Sequence, residues 1–156
     1  MSEFAAVDQL QPRALSEWLE LALEDLRKCE QDPRYEIDMS SWHHPAEGVC
    51  LVCLGGAVMA QTGEVPLERT TYPHHMTPEF ARILQALDYL RSGDIESALC
   101  DVRHSLLIPA ATRSRCEELW LRNEIPNVHV TRYTDSPEDW RTGMDAVLAL
   151  LKAKGV

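Results

Sequence analysis

The stretch "SWHHPAEGVCLVCLGGAVMA", Ser41–Ala60, holds two adjacent histidines, a Cys-x-x-Cys and a twin glycine. Its reading decides whether the chain is organised around a metal or redox centre or around a buried element. Imidazole and thiolate are zinc ligands, so His43, His44, Cys50 and Cys53 form a four-ligand candidate set. The neighbours argue otherwise. Structural zinc cysteines sit on tight, polar turns, whereas these two lie in "VCLVCLGGAVMA", apolar on every side. On a helix Cys50, Cys53, Leu54 and Ala57 share one face, and the thiols pack as small hydrophobes. A redox dithiol requires a partly exposed thiolate next to a cation or a helix N-terminus, and no basic residue adjoins Cys50. We therefore expect Val49–Ala60 to be a buried helix. Gly55-Gly56 would let a neighbouring element come close, at some cost in helix propensity. Trp42-His43-His44-Pro45 is expected to be a loop, with Trp42, His43 and His44 as binding candidates. The open question is whether it shares a pocket with His74-His75, where imidazoles would titrate near neutral pH.

Working outward, Leu15, Trp18, Leu19, Ala22, Leu23 and Leu26 fall at the spacing of one helix face. Glu17, Glu20, Glu24 and Asp25 are assigned to its outer face. Asp32-Pro33 stops this helix, because the residue before proline is pushed out of the α region. Tyr35, Ile37 and Met39 alternate with polar residues as in a half-buried strand. Beyond the central stretch, Thr77-Pro78-Glu79 is a helix start: a hydroxyl cap, a proline at the first helical position and an acid at the positive end of the dipole. Ser92-Gly93-Asp94 separates Phe80–Leu90 from Ile95–Leu106, which predicts an αα-hairpin. "AATRSRCEELWLRN" is expected to be a further helix and "NVHVTRY" a short strand. Ser136-Pro137-Glu138-Asp139 opens a last helix with its apolar stripe at Trp140, Met144, Val147, Leu148 and Leu151. The fold class is α+β, predominantly helical, with about five helices and two or three short strands. One domain covers residues 1–156, of which 1–10 are expected to be disordered.

The chain is long enough for one hydrophobic core without staples. Its 25 acids against 15 bases give a net charge of -10. Residues 1–47 hold 11 acids against 4 bases and residues 48–156 hold 14 against 11, so the excess is concentrated early in the chain. Nucleic acid is excluded as an expected direct partner, because phosphate binding requires a basic surface. A protein partner with a basic surface fits better, and a homodimer is left open. No apolar run is long enough for a bilayer span, the first residues do not read as a secretory signal, and five cysteines do not suggest a disulfide framework. A cytoplasmic protein with reduced thiols, no membrane contact and no cofactor is expected.

Two His-x-Thr triplets, His75-Met76-Thr77 and His129-Val130-Thr131, resemble the paired motifs of two-histidine phosphoesterases. That resemblance implies histidines acting as general acid and base on a cyclic phosphate, with threonines holding its oxygens. His75, Thr77, His129 and Thr131 are thus an alternative catalytic set. A sponge that holds a cyclic nucleotide without cleaving it is the related option, with Arg113, Arg115 and Arg122 as its basic candidates. Asp38 and Arg132 are a candidate ion pair between the two predicted strands.

Tyr35-x-Ile37-Asp38-Met39 leading to Trp42, then "VCLVCLGGAVMAQT" and the closing "YTDSPEDWRTGMDAVLALL", is similar to a pattern in small proteins of bacteria and their phages. The resemblance implies no assigned chemistry, and no catalytic residue is carried over. It points to an accessory protein that binds and disables a host protein such as a defence component. The leading expectation is accordingly non-enzymatic binding of a macromolecular partner through Glu17, Glu20, Glu24 and Asp25.

Overall fold

The computed structural model describes residues 10–156. Of the segment expected to be disordered, residues 1–9 lie outside the described residues, and Leu10 is buried. Helix α1, Leu15–Gln31, forms as its apolar spacing predicts and buries Leu15, Trp18, Leu19, Ala22, Leu26 and Cys29. Ala14 at its N-terminus has no side chain to cap with, so the Glu17 carboxylate reaches back to accept the Ala14 N–H at 3.0 Å.

The central stretch folds differently from the expected loop and helix. His43–Ala46 is strand β2 and Val49–Val52 is strand β3, following strand β1 at Tyr35–Ile37. Strand β3 lies in the middle, parallel to β1 and antiparallel to β2, with His43 opposite Val52 and Ala46 opposite Val49. The Glu47-Gly48 connection has φ of 48° and 87°. Two positive values in succession are the type I′ turn whose twist matches a two-residue hairpin. Only Leu54–Gln61 is helical, as α2. An apolar run that is buried on both sides lacks periodicity and reads equally as strand or helix. Here Val49 and Val52 go to the sheet with Cys50 and Leu51, and the helix begins at Leu54, directly after Cys53.

The twin glycine has the role expected of it. A Cβ on Gly55 would overlap the Trp42 ring, and one on Gly56 would overlap the Trp42 carbonyl oxygen. The first turn of α2 therefore lies directly on the strand that enters β2.

The remaining helices start at their local signals, but the second arm of the predicted hairpin ends at Val102 instead of Leu106, which is 56% exposed in the turn that follows. Helix α3, Pro78–Leu90, starts where the Thr77 hydroxyl accepts from Phe80 N–H, and α4, Ile95–Val102, starts where Asp94 accepts from Ser97 N–H. Between them Gly93 has φ 82°, and a Cβ there would run into the carbonyl of Val128. Helix α5, Ala110–Arg122, ends on Asn123 in the left-handed region, and α6, Pro137–Ala153, is capped by Ser136. The predicted strand at 127–133 is not formed. Its residues pair with no strand: Val128 N–H donates to Gly93 O at 3.0 Å, and the Val130 side chain lies against Gly93 and Gly143. Among the described residues there are six α-helices, one short 3-10 helix and one three-stranded sheet, around a core that runs from Trp18 through Phe80 to Trp140. No described helix is long and apolar enough to cross a membrane.

Candidate functional site

The acidic face of α1 is smaller than expected. Glu17 is committed to the Ala14 N–H, and Glu20 pairs with Lys152 of α6 at 3.2 Å. Asp25 is not on the outer face. It is 1% exposed, accepts from the Thr62 hydroxyl at 2.9 Å, and burial pushes its pKa up to about 6. Helix periodicity places it at the edge of the apolar stripe, where α2 covers it. Glu17, Glu20 and Glu24 remain exposed along one side.

The four-ligand set is not assembled, and no group of three or more metal-ligating side chains occurs among the described residues. Neighbours on a strand point to opposite faces, so His43 is buried while His44 is exposed and lies 3.2 Å from the Thr70 hydroxyl. His43 Nδ1 donates to the Arg69 carbonyl at 2.9 Å, and burial lowers the pKa of the ring. Cys50 Sγ is 3.6 Å from Nδ1 and 3.5 Å from Nε2 of His43. Near-equal distances place the sulphur over the ring instead of on the Nε2 lone-pair axis, so the contact is packing and not a nucleophile–base pair. Cys53 caps α2, its sulphur accepting from Gly56 N–H at 3.3 Å. Burial pushes the Cys50 thiol up to about 11 and that of Cys53 up to about 12. Neither is a thiolate at neutral pH, as redox or metal chemistry requires.

The two histidine pairs have different surroundings. Thr71 bridges to buried His43, which brings the chain past β2, but His74 and His75 lie at the surface beside Tyr72. His75 Nδ1 accepts the Tyr72 N–H at 3.0 Å. The two His-x-Thr triplets are also kept apart. His75 and Thr77 precede α3, whereas His129 follows Val128, which is bonded to Gly93 just beyond the other end of that helix. A helix of this length separates them by about 20 Å, too far for one phosphate to touch both. Thr77, moreover, is the cap of α3.

Thr131 lies instead in a cleft that was not anticipated. A cavity of about 370 Å³ opens between Asp38–Ser40 after β1, Arg91 and Ser92 at the end of α3, and Val130–Thr134 leading into α6, with Trp140 at its floor. A smaller one of about 140 Å³ shares Met39, Ser40 and Arg91 and continues to Trp42, Cys53 and Asp88. The Trp140 indole N–H donates to Arg91 O at 3.0 Å, and its ring meets Tyr133 edge-on at 5.4 Å. Tyr133 is held from behind, its hydroxyl donating to Glu30 at 2.7 Å, with Arg141 also paired to Glu30. Asp38 and Arg132 both line the cleft without pairing to each other. Asp38 accepts from Ser40 and Ser41, and the bonds from Ser40 hold its carboxyl below the usual range. Arg132 pairs with Asp135 three residues on. The arginines proposed on α5 are not here: Arg115 and Arg122 pair with Glu118, and Arg113 lies on the same helix. Arg91 belongs to no motif, Arg132 is a sequence candidate only for an ion pair, and Tyr133 and Thr134 only open the closing segment; their convergence in space marks them as one site. The chain matches no protein-family model, no curated protein and no solved structure.

Proposed function

We propose that the protein acts by binding a macromolecular partner with a basic surface, in the cytoplasm, as a small phage-type accessory protein that inhibits a bacterial defence component. The observation that carries the reading is the line of exposed carboxylates at Glu17, Glu20 and Glu24 along one side of α1, at the most acidic end of the chain. Carboxylates so placed speed encounter with a positive surface and exclude negative ones. Support also comes from the residue types with catalytic potential. Thr77, His75, His43 and Cys53 are each bonded within the fold.

Glu24 is the cleanest probe, since Glu17 holds a helix N-terminus and Glu20 holds Lys152. The test uses the full chain as bait in host lysate, with mass spectrometric identification of what it retains. Glu24→Lys combined with Glu17→Gln is expected to lower capture of that protein at least about tenfold with the melting temperature nearly unchanged. Equal capture by the variant removes this face from the proposal.

A further inference from the structure

We propose that the cleft over Trp140 is a binding site for a small phosphate monoester that carries a flat ring, of nucleoside monophosphate size. The inference is independent of the partner reading, since the cleft involves none of Glu17, Glu20 or Glu24.

The walls of this cleft carry two arginines, Arg91 and Arg132, each paired through part of its guanidinium with an aspartate outside the lining, Asp88 and Asp135, and one carboxylate, Asp38. That carboxylate is occupied: one oxygen accepts from Ser40 and the other from Ser41. The arginines are not fully spent. Arg91 is bonded to Asp88 through Nε alone, which leaves its two terminal nitrogens without a partner among the described residues. Arg132 has one terminal nitrogen in the same condition. The hydroxyls of Thr131 and Thr134, on either side of Arg132, also make no hydrogen bond among the described residues. Guanidinium and hydroxyl donors offered from several directions suit the three terminal oxygens of a phosphate monoester better than the two of a carboxylate.

The rest of the lining supplies a complementary apolar surface. Met39, Val130 and Tyr133 line the walls above Trp140. Tyr133 is fixed by Glu30 behind it and by its edge-on contact with Trp140, so a ring that stacks on it meets a surface already ordered. A volume of about 370 Å³ is in the range of small-molecule pockets.

The experiment is a titration of the ¹⁵N-labelled full chain at low salt, following the Trp140 indole N–H, whose acceptor is the backbone of Arg91. The probes are phenyl phosphate, adenosine monophosphate, adenosine and inorganic phosphate. The two ring-bearing phosphates are expected to move that resonance saturably below about 1 mM, and adenosine to bind at least about tenfold more weakly. Arg132→Gln, on a side chain 82% exposed, is expected to weaken the phosphates about tenfold without changing the melting temperature. Arg91→Gln should do the same, and Arg132→Gln keeps the test decisive if loss of the Asp88 pair unfolds that variant. Adenosine binding as tightly as its monophosphate, affinity unchanged in Arg132→Gln, or no saturable shift with any probe overturns the site. Inorganic phosphate binding as tightly as phenyl phosphate overturns its aromatic half.

Discussion

Two regions of this molecule are built around a tryptophan, and they use their polar groups in opposite ways. Around Trp42 the fold collects the residue types associated with chemistry: His43, Cys50, Cys53 and the twin glycine. Each is committed there to a backbone carbonyl, a ring face, a helix N-terminus or a close approach. Around Trp140 the residues are ordinary, yet guanidinium nitrogens and threonine hydroxyls are left facing a cavity without partners among the described residues. A suggestive residue type marks a site only when the fold leaves it unspent. Satisfying buried polar groups takes precedence, because an unpaired one costs about 1–3 kcal/mol.

The Trp42 region is most sensitive at Gly56. A methyl group there would overlap the Trp42 carbonyl, which belongs to the backbone and cannot rotate away. Gly56→Ala is expected to cost more than about 4 kcal/mol or to prevent folding, as read by chemical denaturation. Near-wild-type stability would mean that the Trp42 region is not interlocked as described.

Asp25 gives the next largest effect, because it shows that a committed polar group can still be a net cost. Its folded pKa, about 6, lies above the 3.8 of an unperturbed aspartate, through burial. The folded state therefore binds the proton more tightly. The stability contributed by protonation is complete below pH 4 and is lost as the pH rises through 6. Asp25→Asn keeps an acceptor for Thr62 and removes the buried charge. It is expected to raise stability by about 1–3 kcal/mol at pH 7.5 and by little at pH 4. A loss of stability at pH 7.5 would show that the carboxylate is stabilised by its partners more than burial penalises it.

The smallest effect concerns reactivity. Cys29, Cys50, Cys53 and Cys116 are buried and Cys100 is partly exposed. Brief alkylation of the native protein at pH 8 is expected to modify Cys100 first, with peptide mass spectrometry as the readout. Modification of Cys50 ahead of Cys100 would return the Trp42 region to the candidates for chemistry.

Much of the fold was legible in the chain. The caps at Thr77, Asp94 and Ser136 each join a side chain to a backbone N–H three residues on, and the stripe of α1 repeats every three or four residues. Such signals are complete within one turn of chain. The hairpin at Glu47-Gly48 carried a local signal, a glycine at the second turn position, which the reading of Val49–Ala60 as one helix passed over. The segment at 127–133 failed in the other direction: its alternation is real, but it reports Val128 and Val130 packed against the core, with Val130 over Gly93 and Gly143. The acidic face was read correctly for Glu17, Glu20 and Glu24 and missed for Asp25, since only the position of α2 decides that burial.

Among the described residues, the positions of five of the six α-helices, the starts of α3, α4 and α6, and the early acidic excess are local properties that neighbours in the chain dictate. Packing between distant segments makes Val49–Val52 the middle strand of a sheet, buries His43 but not His44, and brings Arg91 and Arg132 to one cleft. A strand is defined by its partners and a cleft by the walls that converge on it. Those partners and walls lie tens of residues apart along the chain.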